Sequence, residues 1–466
     1  MNVIVLLADG ARADWLARMM DTGQAPSMAR LRADGALHDV STVFPSVTGP
    51  AYVPFLMGRF PGAVGMPGLR WFDRGRTACH WPDYTRSYVG YQMARVDSDL
   101  DAGAPTIFEL TPGSVGALSV ITRGLSPQRK LMALSPRLAV RAALTHFRGD
   151  ITDMLRVDRE IARATEAHVG TAPYLFAAFG SVDKLSHAKG QDSPEVANAL
   201  RIVDDALGAV REKLERSGAW RDTRVWITSD HGHSPVSQHE DVDRVVAGFG
   251  HRVIAHPWVF RVGADVAVMV SGNAMAHVYV DLDRRDRPFV DGMSQRARAL
   301  ATRLLERPSV DLLLAPLSNA ACEVHSLVGG HAIISKSSAG YSYERRTGDP
   351  LALRADLRHL SAQAAHAACA ASRYPDAIVQ IAELATSPRA GDIILSAASG
   401  WDFRARYEPI AHVSTHGSLR REHMMVPLLS SRAPARTPLR TVDLMPSALA
   451  ALGQPIPGGL DGQSFG

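Results

Sequence analysis

The sequence predicts an α/β fold: a mostly parallel sheet with helices on both faces, plus an inserted smaller α+β lobe. Three observations carry this expectation. Short, nearly continuous apolar runs recur at 3–8, 174–179 and 224–228, as strands buried on both faces require. Each run stops at a polar cluster: Asp9-Gly10, then Gly180-Ser181-Val182-Asp183, then Ser229-Asp230-His231-Gly232. Between the last two runs, Pro194 to Ser217 reads as an amphipathic helix with Val196, Leu200, Val203, Leu207 and Val210 on one face. Strand, helix and strand at this spacing form a βαβ unit.

Taken in order, the first strand, Val3 to Ala8, leads into helix-like spacing from Asp14 to Leu31. Residues 74–150 are a long excursion. It ends in Leu125-Ser126-Pro127 and an Arg-studded apolar segment, Leu131 to Phe147. From about 250 to 385 the texture changes, with strands expected at Val266 to Val270, His277 to Val280 and Val310 to Leu314, and a helix near 293–306. The sheet pattern is expected to return at Asp392 to Ser396 and Met424 to Leu429, and Thr441 to Gly453 closes the chain with a helix signature. The implied organisation is a discontinuous core, 1–250 with 386–466, and an inserted lobe, 251–385, that covers the site and selects what enters it.

Composition narrows the function classes. At 466 residues, 46% hydrophobic and 21% charged, the chain is that of a folded globular protein, not of a disordered or fibrous one. A net charge of +4 is too slight for a nucleic-acid partner, which needs a concentrated basic face. Cys79, Cys322 and Cys369 are far apart with no C-x-x-C, which excludes a disulfide framework and disfavours a thiolate metal site. Only five of the basic residues are Lys, read as a GC-rich, bacterial coding bias. No stretch resembles a signal peptide or reaches the ~18 apolar residues of a spanning helix, so a cytoplasmic location is expected.

Asp9, Asp183, Asp230 and His231 all stand at or just past strand ends, the edge where open α/β sheets bind ligands. A single Asp there is often only a helix cap. Several carboxylates gathered together instead call for a cation, because like charges within ~4–6 Å raise one another's pKa. Mixed Asp and His ligands without Cys suit zinc, with manganese or iron as alternatives. Asp183 and His187 form D-x-x-x-H, a spacing that puts both side chains on one helical face. Thr48, in Phe44-Pro45-Ser46-Val47-Thr48-Gly49-Pro50, is either a turn residue or a nucleophile activated by a cation.

In these motifs the chain resembles the alkaline phosphatase superfamily, specifically its type I phosphodiesterase/nucleotide pyrophosphatase branch. The shared features are the strand ending in Asp9, Thr48 ten residues before Gly58 of Gly58-Arg59-Phe60-Pro61, the D-x-x-x-H pair, Ser229 to Gly232, Thr415-His416-Gly417, and the Asp443 to Gly462 tail. The resemblance implies an alkaline-phosphatase-like three-layer sandwich. It also implies two divalent ions, one held by Asp183, His187 and His416, the other by Asp9, Asp230, His231 and the Thr48 oxygen. Thr48 would form a covalent phosphoryl-enzyme that water then cleaves, with a small phosphate ester as substrate.

The nearby histidines are read as less involved: His412 as a loop or supporting residue, His233 as a competitor not chosen by the pattern, and His325 and His331 as surface residues. The chain departs from the family where nucleotide pyrophosphatases carry an Asn after H-G. Here Val64-Gly65 stands for H-G and Leu69 for the Asn, followed by Arg70 and Trp71. Arg70 is a candidate anion ligand and Trp71 a candidate aromatic wall. The basic amphipathic segment Ser126 to Arg148 is most simply a packed helix, with membrane-surface contact as the alternative. A phosphodiesterase is the expected activity. A phosphonate-bond hydrolase and a phosphomonoesterase are the alternatives, and a metal-binding scaffold is the alternative from another class.

Overall fold

The computed structural model describes residues 1–76, 83–132, 152–408 and 410–466. Cys79 and most of the Ser126 to Arg148 segment lie outside the described residues.

The apolar runs form a seven-stranded sheet. Its spatial order is Ala36–Ser41, Met425–Ser430, Thr223–Thr228, Asn2–Ala8, Tyr174–Phe179, Val115–Ala117 and Lys130–Leu131. Asn2–Ala8 runs parallel to both Tyr174–Phe179 and Thr223–Thr228, while Met425–Ser430 is antiparallel to Thr223–Thr228. Because side chains alternate along a strand, the central strand feeds two cores. Val3, Val5 and Leu7 pack with the helices Val53–Met57 and Leu444–Ala451. Ile4, Leu6 and Ala8 face Ala13–Asp21 and Pro194–Arg216 on the other side. Both faces are therefore covered, which explains why these strands read as unbroken apolar runs.

The register sets the site. Leu7 lies opposite Ala178 on one side and Thr228 on the other, so the three parallel strands end level. Asp9, Gly180 and Ser229 consequently emerge at one edge. The helix Ser181–Lys189 starts there, and its first amides are met from outside: Asp158, on the helix Thr152–His168, accepts from the N–H groups of Gly180 at 3.1 Å and Ser181 at 3.0 Å.

The second lobe is a nine-stranded, largely antiparallel sheet spanning Val253 to Ala397. It contains the expected strands as Val266–Ser271, Met275–Val280 and Val310–Pro316, and the expected helix as Gln295–Leu305. One expectation is corrected. The run at 392–396 does not return to the parallel sheet; Ile393–Ala397 pairs antiparallel with Met275–Val280 and Val310–Pro316 in the middle of the lobe sheet. Helices and loops bury both faces of that strand too, so a continuous apolar run marks a central strand without saying which sheet owns it. Among the described residues no helix is long and apolar enough to cross a membrane.

Candidate metal centre

Each expected ligand is delivered by a turn or by a helix that starts at the sheet edge. Asp9 follows the first strand and is succeeded by Gly10 at φ +77°. A side chain there would press on the His233 ring and the Asp183 backbone, so this close approach needs glycine. Asp183 and His187 sit one turn apart on Ser181–Lys189. Asp230 and His231 follow Thr223–Thr228. His416 comes from the loop after Ser414–Thr415, and Thr48 lies half-buried just before Gly49, at φ +100°.

These residues converge in two adjoining groups. In the first, Asp183 Oδ1 is 3.2 Å from His187 Nε2, 2.9 Å from His233 Nε2 and 3.5 Å from His416 Nε2. In the second, His231 Nε2 is 3.3 Å from Asp9 Oδ1 and 3.6 Å from Asp230 Oδ2. The Thr48 hydroxyl lies 3.3 Å from Asp9 Oδ1 and 3.3 Å from His231 Nε2. The groups touch through the His231 and His416 rings, stacked 3.6 Å apart and within 5° of parallel. All six predicted Asp and His ligands and Thr48 therefore share one site.

The imidazoles are oriented from behind. His187 Nδ1 meets Ser414 O at 2.8 Å, His416 Nδ1 meets Ser46 O at 2.9 Å, and His231 Nδ1 meets Gly232 O at 3.1 Å. A carbonyl only accepts, so each Nδ1 carries a hydrogen and Nε2 is the nitrogen each ring turns inward. Those nitrogens face carboxylate oxygens at 3.2–3.6 Å, the mixed donor set a cation would take up. Asp230 Oδ2 is moreover buried with no hydrogen-bond partner. The donor set and this orphaned oxygen fit divalent cations.

The electrostatics agree. Burial, then Asp230 and Asp183, push the Asp9 carboxyl well above its usual range. Burial also raises Asp230, against the relief given by His231. Burial would raise Asp183 as well, but Lys184, whose Nζ is 3.1 Å from Oδ2, and His187 outweigh it and hold the carboxyl well below its ordinary value. Burial and the neighbouring His231 drive His416 well down, which keeps that ring neutral.

His233 was passed over in the sequence, yet it makes the shortest contact to Asp183. Its signal was the spacing from His231, since alternate residues of an extended segment share a side. Its Nδ1 is 3.1 Å from the Ser414 hydroxyl, and burial pushes it down to about 3. His412 stacks on His187 at 4.2 Å and lies 3.1 Å from Asn273 Nδ2 through Nδ1, outside both groups.

The two substrate candidates separate. Trp71 is corrected: it is fully buried, its indole N–H lies 3.3 Å from the Tyr88 hydroxyl, and the Arg86 and Arg389 guanidiniums lie over its ring. No face of it is left for a ligand. Arg70 is also buried, but it donates only from Nη1 to Val270 O at 2.9 Å and from its amide to Ser271 Oγ. Its Nε has no partner, and among the described residues no carboxylate reaches it within ion-pair distance. Burial and Arg404 push it down to about 10, with Glu408 opposing.

Comparison with known proteins places the chain in a family. The model of the "Type I phosphodiesterase / nucleotide pyrophosphatase" family matches residues 3–312. An uncharacterized pyrophosphatase/phosphodiesterase of Schizosaccharomyces pombe is 26% identical over 242 residues, 51% of this chain and 45% of that protein; the match thus spans somewhat under half of that curated relative. Among solved structures, phosphonoacetate hydrolase from Sinorhizobium meliloti 1021, in complex with phosphonoformate, superposes with a TM-score of 0.58 at 16% identity, covering 97% of this chain and 96% of that one. Murine ectonucleotide pyrophosphatase/phosphodiesterase 5, as an inactive threonine-to-alanine variant with AMP, gives 0.56 at 15% identity, with coverages of 99% and 97%. These structural likenesses show a shared fold.

Proposed function

The chain belongs to the type I phosphodiesterase/nucleotide pyrophosphatase family, and from that premise we propose that it hydrolyses phosphate esters, most simply diesters, with Thr48 as nucleophile. The carrying observation is the inward-facing set of imidazole nitrogens and carboxylate oxygens around the Thr48 hydroxyl. Asp183, His187 and His416 would hold one divalent ion, and Asp9, Asp230, His231 and Thr48 the other, with zinc favoured by the N and O donors. Bound there, the ions would supply positive charge that lowers the hydroxyl pKa and neutralises developing charge on phosphate oxygens.

The protein's own part follows from its geometry. The Thr48 hydroxyl, beside Asp9, would give up its proton to solvent and attack phosphorus in line with the leaving oxygen. The Thr48 Oγ1–P bond forms as the ester P–O bond breaks, and the departing alkoxide takes a proton from solvent. Water then attacks the phosphorylated threonine, releasing a monoester and restoring the hydroxyl. The His233 ring, held between Ser414 and Asp183, braces the Asp183 carboxylate and belongs to the same group of potential ligands. The inactivity of the murine threonine-to-alanine variant parallels the role given to Thr48.

A second reading, phosphonate cleavage, is favoured by Arg70. A buried guanidinium lacking a carboxylate partner is costly, and an anionic group on the substrate would complete it. Leu69, where the family's nucleotide enzymes carry Asn, lies against the turn that holds Thr48; its Cδ1 is 3.9 Å from where a Gly49 β-carbon would stand.

The test is hydrolysis by the zinc-loaded protein of bis(p-nitrophenyl) phosphate, p-nitrophenyl phosphate and phosphonoacetate. Preference for the diester supports the main reading, and preference for phosphonoacetate supports the second. No turnover of any of them, with metal bound, leaves a scaffold. Thr48→Ala should abolish turnover while zinc stays bound; undiminished turnover removes Thr48 from the mechanism.

A further inference from the structure

The lobe carries a second convergence of metal-binding side chains. The strands Ala321–Ser326 and Gly330–Ser337 form a hairpin in which His325 is directly opposite His331. Glu323, two residues before His325, shares their face. The opposite face, Cys322, Val324, Ala332 and Ile334, is buried in the lobe core, so the register that brings the three together is fixed by packing.

The two imidazole rings stack with centroids 4.3 Å apart and planes within 6°. Both turn Nε2 toward one carboxylate: His325 Nε2 is 3.0 Å from Glu323 Oε2, and His331 Nε2 is 3.4 Å from Oε1. One ligand atom from each residue lies within 4.8 Å of the others. A Glu–His hydrogen bond accounts for His325 alone. It leaves His331 Nε2 buried and without a hydrogen bond, and a buried nitrogen lacking one is costly.

We propose that Glu323, His325 and His331 form a further divalent-cation site, separate from the Thr48 centre, that takes zinc or a metal of like preference. Two imidazoles and one carboxylate are a sufficient protein set for zinc, with water in the fourth position. The side chains are 19–26% exposed, which leaves an entry path for ion and water. A metal there would clip the two strands of the hairpin together and stabilise the lobe, because binding to the folded form alone raises its stability.

The test compares wild type with His331→Ala and with Glu323→Gln, which preserves the side-chain shape. Each is equilibrated in micromolar zinc, passed through gel filtration and analysed for metal. Wild type should retain about one zinc per chain more than either variant. Its thermal midpoint should rise with zinc by more than theirs. Hydrolysis should be equal in all three, which places the lost ion outside the Thr48 centre. Equal zinc in wild type and both well-folded variants, or loss of zinc accompanied by loss of hydrolysis, overturns the proposal. Because the readout is a difference of one equivalent, it stands or falls independently of whether the Thr48 centre proves hydrolytic.

Discussion

Gly10 and Gly23 offer a matched pair that isolates how tightly the metal centre is packed. Both adopt positive φ, +77° and +74°, so an L side chain at either costs about 1–2 kcal/mol from the backbone alone. Around Gly23 nothing lies within 4 Å of an added β-carbon. Around Gly10 that carbon would stand 2.9 Å from His233 Cδ2, 3.0 Å from His233 Nε2 and 3.1 Å from Asp183 Cα. His233 has little room to yield, being buried and held by Ser414 and Asp183. Gly23→Ala should therefore cost about 1–2 kcal/mol in urea unfolding with chelator present. Gly10→Ala should add about 1–3 kcal/mol for the disrupted buried His233–Asp183 contact. It should also weaken zinc binding by about 10–100-fold, the usual effect of disturbing the groups that orient ligands, whereas Gly23→Ala should leave zinc binding unchanged. If Gly10→Ala merely matched Gly23→Ala in both stability and zinc titration, the close approach of the first turn to Asp183 would not be what shapes the site.

Further outcomes follow from individual residues. Thr48→Ser keeps the hydroxyl and should retain most diester turnover, while Thr48→Ala should lose at least about a thousandfold in kcat; steady-state kinetics on bis(p-nitrophenyl) phosphate separates the two. Burial pushes Asp158 up to about 6 against the bonds from Ser181 and Gly180. Its folded form thus holds the proton more tightly than the unfolded chain. Its contribution is then fully present below about pH 4 and lost as pH rises through 6, a fall of about 3 kcal/mol. Asp158→Asn should remove that fall, as urea unfolding of both proteins between pH 4 and 7 will show. Arg70→Met removes a buried cation without an ion-pair partner, so stability should change by less than about 1 kcal/mol or rise. At the same time, kcat/KM for phosphonoacetate should drop at least about tenfold more than for the diester; equal drops would mean that Arg70 does not meet the substrate's second anion.

How much of this was legible in the sequence depended on which physical signal each element carries. The strand ends at Asp9, Asp183 and Asp230 were readable because strands buried on two faces leave an unbroken apolar run, and the first polar residue marks the sheet edge. The lobe strands Ala321–Ser326, Gly330–Ser337 and Gly340–Gly348 were not foreseen. Glu323 and His325 lie half-exposed and Lys336, Arg345 and Arg346 exposed along them, and half-exposed strands carrying charge give a weak alternation that competes with loop composition. His325 and His331, read singly as surface residues, meet only through hairpin register, which no local pattern states. Trp71 illustrates the converse. A Trp beside an Arg after a Gly-Leu step has the composition of a binding wall, and only burial under Arg86 and Arg389 shows it to be core.

The placement of His416 shows why the inserted lobe bears on the chemistry. His416 follows the lobe in the chain, and its backbone is held by the turn joining the lobe strands Val266–Ser271 and Met275–Val280. Ala274 N–H donates to His416 O at 3.0 Å, and the Thr415 hydroxyl donates to Gly272 O at 3.1 Å. On the other side, a β-carbon at Gly272 would fall 2.1 Å from Val47 Cγ1, so the same turn packs against the residue before Thr48. His416 Nδ1 in turn bonds Ser46 O. One glycine turn of the lobe is thus wedged between His416 of the first group and the loop that carries Thr48, the proposed nucleophile. Close-packed contacts of this kind leave little room for independent movement. A lobe that shifted relative to the parallel sheet would therefore move His416 and Thr48 together, which makes the lobe a structural part of the centre and not only a cover over it.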